Sequence, residues 1–423
     1  KSIEGELDRR ITYSITKTSQ DGKGQTISKT EPTRYSESIE LNGVTYKLAD
    51  FQFSKSDVID NRPVSDYYSG SINSRKYYSI NNDEGKAIVT ISGGDVGYSN
   101  FWGNTDTQII SYRIDVDWKS EDENGNQVDR SWQGTVDVQV SDSTTKKLLY
   151  SENEASYSSF DGGYVRVTDS EQVSKYTYNL PEMDRDGIPS SYSRKRGTLE
   201  LSMKKLSKVE RLIVPKFRDI GGHWAESDIK KLYSLDVFDE TNAFFQPELN
   251  MTRLEFTKAV MRACDIRPNA QTTTTRTART TRNQVRETSI FSDVSATDPD
   301  YQYIKSAAEK GIITGTNGLF APDKPLTRAE AVAILIRALG FESKAPTPGY
   351  RTAFHDDRKI PEWAKDSIYV AAEIGIVNGD EYNNFNPDRK LSRAEASALL
   401  VNFLEFLEKG LRTDYRENII LFN

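Results

Sequence analysis

Cysteine and histidine are nearly absent from this sequence of 423 residues. It contains one cysteine, Cys264, and two histidines, His223 and His355. A single cysteine excludes disulfides within the chain, and these three side chains leave little from which to build a zinc site or a catalytic triad. Cys264 lies on the same predicted helical face as Phe256 and Val260, so we expect an inert, buried thiol.

Long apolar segments and net positive charge are also missing. No stretch of about 18 apolar residues occurs, so no segment is predicted to span a membrane by itself. The net charge of −7 argues against nucleic-acid binding, because a phosphate backbone calls for a basic surface. The first residues, "KSIEGELDRR", are polar and include no initiator Met. This start is expected of a processed chain that lacks its export signal.

Residues 1–212 are predicted to form a β-rich region. Runs such as "GVTYKLADFQF", "KAIVTISGG" and "SYRIDVDWKS" alternate apolar and polar side chains, with the period of a half-buried strand. Residues from Tyr112 to Val140 are typical of one hairpin, with Asn124 and Gly125 near its tip. The pattern predicts an antiparallel β-sandwich of one or two subdomains.

The part of the chain after about residue 215 has helical periodicity and repeats itself three times. Each copy opens with Phe-x-Asp, continues through a short helix, reaches a Phe-x-Pro turn and starts a longer helix. The copies, called repeats 1, 2 and 3, open at Phe217, Phe291 and Phe354, and their turn prolines are Pro247, Pro322 and Pro387.

The longer helices begin with "MTRLEF", "LTRAEA" and "LSRAEA", and two repeats carry "EKGIITG" or "EIGIVNG" after the short helix. On these motifs, the segment from about 217 to 410 resembles three tandem S-layer homology domains, which hold bacterial surface proteins on the cell wall. The resemblance implies a pseudo-threefold all-α bundle with the longer helices at its centre. The whole chain is then a multidomain β + α protein. Residues 1–212 carry no such resemblance.

A capping box accounts for two of the four residues in each motif. A Ser or Thr is followed three residues later by Glu, so the hydroxyl accepts from a backbone N–H while the Glu reaches back to the N–H of the cap. Each cap contributes about 1 kcal/mol to helix stability. The pairs are Thr252 with Glu255, Thr327 with Glu330 and Ser392 with Glu395.

Arg253, Arg328 and Arg393 follow the caps, where the helix dipole disfavours a cation by about 0.3–1 kcal/mol. One such arginine is explained as a solvated surface residue, but three indicate a common cause. Free N–H groups at a helix start favour an anion, and a guanidinium grips a carboxylate through two hydrogen bonds. The resemblance implies which anion: such domains bind cell-wall polysaccharides carrying a pyruvate ketal, in grooves between neighbouring repeats.

Glycine and tryptophan residues complete the candidate glycan site. Gly315 and Gly379 follow the short helices of repeats 2 and 3, where a missing Cβ permits positive φ or close approach by a ligand. A glycine four residues before each is equally well explained as a helix C-cap. Trp224 and Trp363 begin short helices and are candidates for stacking on a sugar ring. The alternative is that they fill the hydrophobic core.

Two repeats depart from the pattern. Repeat 1 has Asp236 and Glu240 where the others have glycine, and repeat 2 has Pro299 at the tryptophan position. Because two added carboxylates repel an acidic ligand, the groove of repeat 1 is the least favourable. One or two of the three grooves are expected to dominate binding.

The predicted division of the chain has seven parts. They are the β-rich sandwich region at 1–212, repeat 1 at 213–268, a Thr/Arg-rich insertion at 269–290, repeat 2 at 291–342, a linker at 343–353, repeat 3 at 354–410 and a tail at 411–423.

Three segments leave alternatives open. The insertion is either a solvated loop or a basic segment lying over an acidic polymer. The tail "NIILFN" either packs on its own molecule or adds to another sheet. The acidic turns "DENGNQVD" and "MDRDG" offer oxygen ligands for Ca²⁺, but neither has the spacing of an EF-hand loop, so solvated turns are favoured and no cofactor is predicted.

The sequence therefore predicts non-covalent anchoring of an extracellular bacterial surface protein to pyruvylated cell-wall polysaccharide, with several grooves acting together. For the β region we expect surface-layer or filament assembly with copies of itself or other surface proteins. The alternative is a glycan- or protein-binding module, suggested by aromatic stretches such as "RKYYSI" and "GYSNFWGN". A hydrolase with paired carboxylates is less favoured, because no nucleophile elbow, zinc motif or phosphate loop occurs; the chain is predicted not to be an enzyme.

Overall fold

A computed structural model describes residues 5–121, 125, 127–151, 162–184, 188–238, 243–268 and 288–410. The strands are β1 (Gly5–Gln20), β2 (Gln25–Leu41), β3 (Val44–Asn61), β4 (Ser65–Ile80), β5 (Gly85–Asn100), β6 (Gly103–Glu121), β7 (Gln127–Asp129), β8 (Trp132–Ser151), β9 (Gly163–Met183), β10 (Pro189–Lys204) and β11 (Lys208–Arg211). The α-helices are α1 (Glu226–Ser234), α2 (Arg253–Ala263), α3 (Tyr301–Glu309), α4 (Arg328–Leu339), α5 (Glu362–Glu373) and α6 (Arg393–Glu405).

The strands form one antiparallel sheet rather than the two packed sheets of a sandwich, so this part of the predicted fold was wrong. Its order is β1-β2-β3-β4-β5-β6-β8-β9-β10, with β7 paired to β6 and β11 to β9. An alternating pattern identifies a strand but not the sheet to which it belongs. Here each long strand pairs directly with its neighbour in sequence. The predicted hairpin is present, with Tyr112 of β6 opposite Val136 of β8; Asn124 lies outside the described residues.

One side of the sheet, called the apolar face, carries a small core. Directly opposite residues share a face, so Leu48, Tyr78, Ala87, Val116 and Trp132 form a row across five strands. The three central members of this row are buried. The sheet thus has an apolar side and a polar side.

A buried carboxylate lies on the same face. Glu37 accepts hydrogen bonds from Arg9 Nε at 3.0 Å, Lys76 Nζ at 3.2 Å and Tyr78 OH at 3.0 Å, and also from Tyr35. Burial opposes its ionisation, but the bonds from Arg9 and Tyr35 and the charge of Lys76 outweigh burial and lower the pKa of Glu37 to about 2.

The larger hydrophobic core lies in the helical region. The longer helices α2, α4 and α6 together supply more of its buried side chains than the shorter helices, among them Phe256, Leu335 and Phe403. Each shorter helix packs on one longer helix: α3 on α2, α5 on α4 and α1 on α6. The contact of α1 with α6 brings the first repeat against the last.

The sheet joins this core through aromatic side chains from its end. Trp102 is 2% exposed and donates from Nε1 to the carbonyl of Ala263 at 3.0 Å. Arg62 donates to the carbonyl of Gly340 at 3.2 Å, and Tyr164 OH donates to the carbonyl of Ser227 at 3.3 Å.

Cys264 is buried as predicted, and burial raises the pKa of its thiol.

Candidate functional site

Each longer helix starts against the loop of another repeat. At α2, the backbone N–H groups of Arg253 and Leu254 donate to the carbonyls of Lys324 and Pro322, both at 3.0 Å. The same two bonds recur at α4 and at α6. Repeat 1 thus contacts repeat 2, repeat 2 contacts repeat 3, and repeat 3 returns to repeat 1; the further donor–acceptor pairs are Arg328 to Arg389, Ala329 to Pro387, Arg393 to Leu249 and Ala394 to Pro247.

These bonds correct the expectation that free N–H groups at the helix start bind the anion. The first two N–H groups are taken by carbonyls of the neighbouring repeat. The third is taken by the cap, since Glu255 N donates to Thr252 Oγ1 at 3.2 Å. An anion here must therefore be bound by side chains.

All three predicted capping boxes are present. The cap hydroxyls of Thr252, Thr327 and Ser392 accept from the backbone of Glu255, Glu330 and Glu395, and each glutamate accepts from the backbone N–H of its cap. Burial opposes the ionisation of Glu330, but hydrogen bonds from the Thr327 backbone N–H and the Lys324 ammonium group outweigh burial and lower the pKa of this carboxyl group. Glu330 and Glu255 also line grooves between repeats.

The three arginines point across the repeat boundaries, each over a phenylalanine of the Phe-x-Pro turn. Their guanidinium carbons lie 4.6–5.3 Å from the ring centroids, within the range of a cation–π contact. The pairs are Arg253 with Phe320, Arg328 with Phe385 and Arg393 with Phe245. Burial lowers the pKa of Arg253 and Arg328.

The groove between repeats 1 and 2, called the 1–2 groove, is the most basic of the three grooves that the described residues form. It encloses about 390 Å³, and Arg253, Lys324 and Arg337 line it together with one carboxylate, Glu330; Glu342, outside the lining, pairs with Arg337 at 2.9 Å. Glu330 lies 3.2 Å from Arg253 and 2.9 Å from Lys324. The half-exposed ring of Trp363, from repeat 3, forms part of its wall.

The 2–3 groove encloses about 350 Å³ and has two cations, Arg328 and Arg389. Arg328 donates to the carbonyl of Asn378 at 2.7 Å, and among the described residues it has no carboxylate partner. Arg389 pairs instead with Glu395. Asp380 also lines this groove and opposes an anionic ligand.

The 3–1 groove is the smallest, at about 210 Å³, and its charges cancel. Arg393 pairs with Glu255 at 2.8 Å, and Lys258 pairs with Asp300 at 2.6 Å. Of the two carboxylates predicted to weaken the groove of repeat 1, Asp236 pairs with Arg267, and Glu240 lies outside the described residues.

The two predicted groove glycines are needed for space rather than for positive φ. A Cβ on Gly315 would lie 2.5 Å from the Phe291 ring, and one on Gly379 would lie 2.5 Å from the Asn383 side chain. The earlier glycine of each pair, Gly311 or Gly375, has φ near +70° and follows the helix end as a C-cap glycine does.

Neither of the two candidate tryptophans fills the core. Trp224 is 63% exposed and Trp363 is 52% exposed, so both rings are open to solvent. Trp363 lines the 1–2 groove, whereas Trp224 stacks beside His223 and is absent from the described lining of all three grooves.

Sequence reasoning missed Lys324 and Arg337, because each cation recurs in only one other repeat, as Arg389 and Arg262. It also missed why the opening motif contains aspartate. Asp293 accepts from the N–H groups of Phe320 at 2.9 Å and Ala321 at 2.6 Å, which ties the Phe-x-Pro turn to the start of the repeat. Asp219 and Asp356 make the equivalent pairs of bonds.

Some predictions concern residues outside the described ranges. They include most of the 269–290 insertion, the 411–423 tail and parts of both acidic turns. Among the described residues, no group of three or more His, Cys, Asp or Glu side chains could hold a metal ion. In the same residues, no helix is both long and apolar enough to cross a membrane.

Comparison with known proteins identifies the helical region. The S-layer homology domain family matches residues 216–257, 290–332 and 353–397. The chain therefore contains three S-layer homology domains, as its motifs predicted.

Similar proteins include an amylopullulanase of Thermoanaerobacterium thermosulfurigenes, 29% identical over 57% of this chain and 12% of its own length. A surface-layer 125 kDa protein of Lysinibacillus sphaericus is 31% identical over 29% of this chain and 10% of its own. A cellulosome-anchoring protein of Acetivibrio thermocellus is 34% identical over 22% of this chain and 20% of its own. The chain thus spans a fifth or less of these relatives. The domains and relatives support a cell-surface, cell-wall-associated protein.

Proposed function

We propose that this chain anchors a surface protein, without covalent chemistry, to an acidic polysaccharide of the cell wall, and that the bound group is a pyruvate ketal carboxylate. One observation carries the proposal: the 1–2 groove places three cations and an exposed indole around a space of sugar size, with one carboxylate among them. A guanidinium suits a carboxylate, and an indole face suits a sugar ring.

The proposed site consists of Arg253, Lys324, Arg337, Trp363 and Gly315. The 2–3 groove, with Arg328 and Gly379, should make the second-largest contribution to glycan binding, because Arg328 has no neutralising carboxylate among the described residues. The 3–1 groove, with Arg393, contributes least because its charges are already paired. Trp224, also exposed, is the control position for Trp363.

This assignment includes a pseudo-threefold arrangement of the helical region, with α2, α4 and α6 central and one groove at each repeat boundary. The equivalent contacts at the three helix starts support it. Two engaged grooves on one wall polymer would strengthen binding beyond that of either groove alone.

The test is a pull-down with purified cell-wall sacculi, before and after chemical removal of ketal pyruvate. We expect the intact protein to bind only untreated sacculi. Trp363→Ala should lose most of this binding. Trp224→Ala should keep it, because Trp224 is also exposed and lies just before the short helix of repeat 1 but is absent from the described groove linings. Equal loss in both variants would remove the preference for the 1–2 groove. Undiminished binding to pyruvate-free sacculi would overturn the choice of ligand.

For the sheet region we propose assembly with copies of itself or with other surface proteins. The long sheet with two outer strands supports this role, since an unpaired edge can add another strand.

We further propose that this chain anchors rather than catalyses. The match to the amylopullulanase covers only 12% of that protein's length, so it gives no support for the same enzymatic activity in this chain. Polysaccharide hydrolysis by the purified chain would refute this.

A further inference from the structure

The two outer strands of the sheet are its most exposed elements. Among the described residues, β1 pairs only with β2, and β10 pairs only with β9. Exposed residues make up 15 of the 16 positions of β1 and 12 of the 16 positions of β10. Large apolar side chains at alternate positions are 45–56% exposed: Leu7, Ile11, Tyr13 and Ile15 on β1, and Leu199, Leu201 and Met203 on β10.

Both apolar stripes belong to the apolar face. Leu7 lies opposite Ile39, which continues the row through Tyr46 to Ile80. At the other end, Leu199 lies opposite Tyr176. Inner strands cover one another's side chains at most positions of this face, although Leu41 of β2 and Tyr150 of β8 are also 42% and 50% exposed. Runs of three or four exposed apolar residues lie on the two outer strands, where no next strand covers them among the described residues. Each edge therefore exposes an apolar stripe that an added strand, with apolar residues on the same face, would cover.

The two edges point in the same direction. The sheet path contains nine long strands, each antiparallel to the next, so β1 and β10 run parallel to each other. When a second copy lies beside the first in the same orientation, β1 of one copy therefore meets β10 of the other as parallel strands. The apolar face then continues across the boundary without a flip.

The charges of the edges are complementary. On the polar side β1 carries Glu6, Asp8 and Arg10, whereas β10 carries Arg194, Arg196, Glu200 and Lys204, so this side of β1 is net acidic and that of β10 net basic. In the register that places Ile11 opposite Leu199, the oppositely charged pairs are Glu6–Arg194 and Asp8–Arg196. The same register places Tyr13 opposite Leu201, Ile15 opposite Met203, and Arg9 opposite Gly197, and every pair keeps its side chains on one face.

We propose that copies of this chain associate edge to edge, with β1 of one copy adding in parallel to β10 of the next. The contact is head-to-tail, so both edges of every copy are used and the assembly extends as a row rather than closing as a dimer. This inference deepens the assembly role proposed for the sheet region and names the surface that would carry it.

Cysteine cross-linking tests the pairing, because the one native cysteine, Cys264, is buried. Full-length Ile11→Cys and Leu199→Cys proteins are treated with a short bismaleimide, separately and as a mixture. We expect a covalent dimer only in the mixture, and a ladder of oligomers from the double variant. A dimer from Ile11→Cys alone would show β1 pairing with β1. A cross-link confined within single chains of the double variant would show that β1 closes on its own β10. Either result overturns the proposal.

A charge exchange tests the register. Asp8 lies 3.8 Å from Arg10 in its own strand, and both side chains are exposed, so Asp8 is available to a neighbour. Asp8→Arg and Arg196→Asp should each weaken self-association about tenfold in sedimentation, and the double variant should restore it. Lys47→Glu, a charge reversal at an exposed position of the inner strand β3, away from β1 and β10, is the matched control and should have no effect. Failure of the double variant to recover, or monomers throughout, would overturn the proposal. No cell wall is present, so this outcome is independent of the sacculus test.

Discussion

The carboxylate of Glu330 lies 3.2 Å from the guanidinium of Arg253, across the boundary between the first and second repeats. Glu330 is also the capping-box glutamate of its own helix. The pair explains how a cation is tolerated in the first turn of α2: the neighbouring repeat supplies a carboxylate, and the Phe320 ring supports the guanidinium. Arg393 and Glu255 repeat this pair, whereas Arg328 has no carboxylate partner among the described residues and Glu395 pairs with Arg389 alone.

Glu330→Gln should strengthen wall binding while weakening the fold. The amide still reaches the cap N–H but no longer neutralises Arg253 and Lys324, so an acidic glycan meets a more basic groove. We expect about threefold tighter binding, or about 0.7 kcal/mol, by calorimetry with solubilised wall polysaccharide.

The matched control is Glu255→Gln in the 3–1 groove, which removes the equivalent charge from Arg393. It should lower the stability of the fold without raising affinity. Weaker binding by Glu330→Gln would show that the glutamate positions Arg253 for the ligand.

Asp293→Asn should destabilise the second repeat by about 1–2 kcal/mol. The carboxylate accepts from two backbone N–H groups of the Phe-x-Pro turn, and an amide offers only one accepting oxygen in its place. Urea unfolding followed by circular dichroism measures the loss. Asp323→Asn, an exposed change in the same loop, is the control; an equal effect of the two substitutions would contradict the role assigned to Asp293.

Trp102→Ala should cost about 3–5 kcal/mol, because a large buried ring between the sheet and the helical region is removed. Trp102→Phe should recover most of this stability and lose mainly the hydrogen bond to Ala263, worth about 1 kcal/mol. Trp224→Ala at the surface should change the free energy of unfolding by less than about 0.5 kcal/mol. If Trp102→Ala were equally mild, the sheet would not depend on this contact.

The sheet region should lose stability in acid through Glu37. Its pKa is about 2 in the folded protein against an ordinary value of 4.5, so the carboxylate contributes fully above pH 4.5. That contribution disappears as the pH falls from 4.5 towards 2, and it amounts to about 3 kcal/mol. Unfolding free energies measured across this range check the slope.

Glu37→Gln should flatten that slope and destabilise the protein at pH 7, since Arg9 and Lys76 lose their carboxylate. Glu40→Gln, at an exposed position on the same strand, should leave the profile unchanged. A profile of the Glu37→Gln protein that matches the unsubstituted chain would assign the acid sensitivity to other groups.

Local signals in the sequence predicted local structure well. The three capping boxes and the C-cap glycines Gly311 and Gly375 depend on neighbours within a few residues, so their patterns identify them directly. The threefold recurrence of one motif set likewise identified the S-layer homology domains. Lys324 and Arg337 escaped notice because each cation recurs in only two of the three repeats, so its position carries no threefold signal.

Other features were decided by tertiary structure. Alternation along β3 or β6 sets which side chains share a face, but hydrogen bonding between whole strands determines that all of them join one sheet. The pairing of Arg253 with Glu330 joins residues 77 positions apart. The same packing occupies the N–H groups of the helix starts with carbonyls from another repeat. The sequence by itself determined the repeats and their caps, because these are short-range interactions; the grooves and their charges arise only where separate repeats meet.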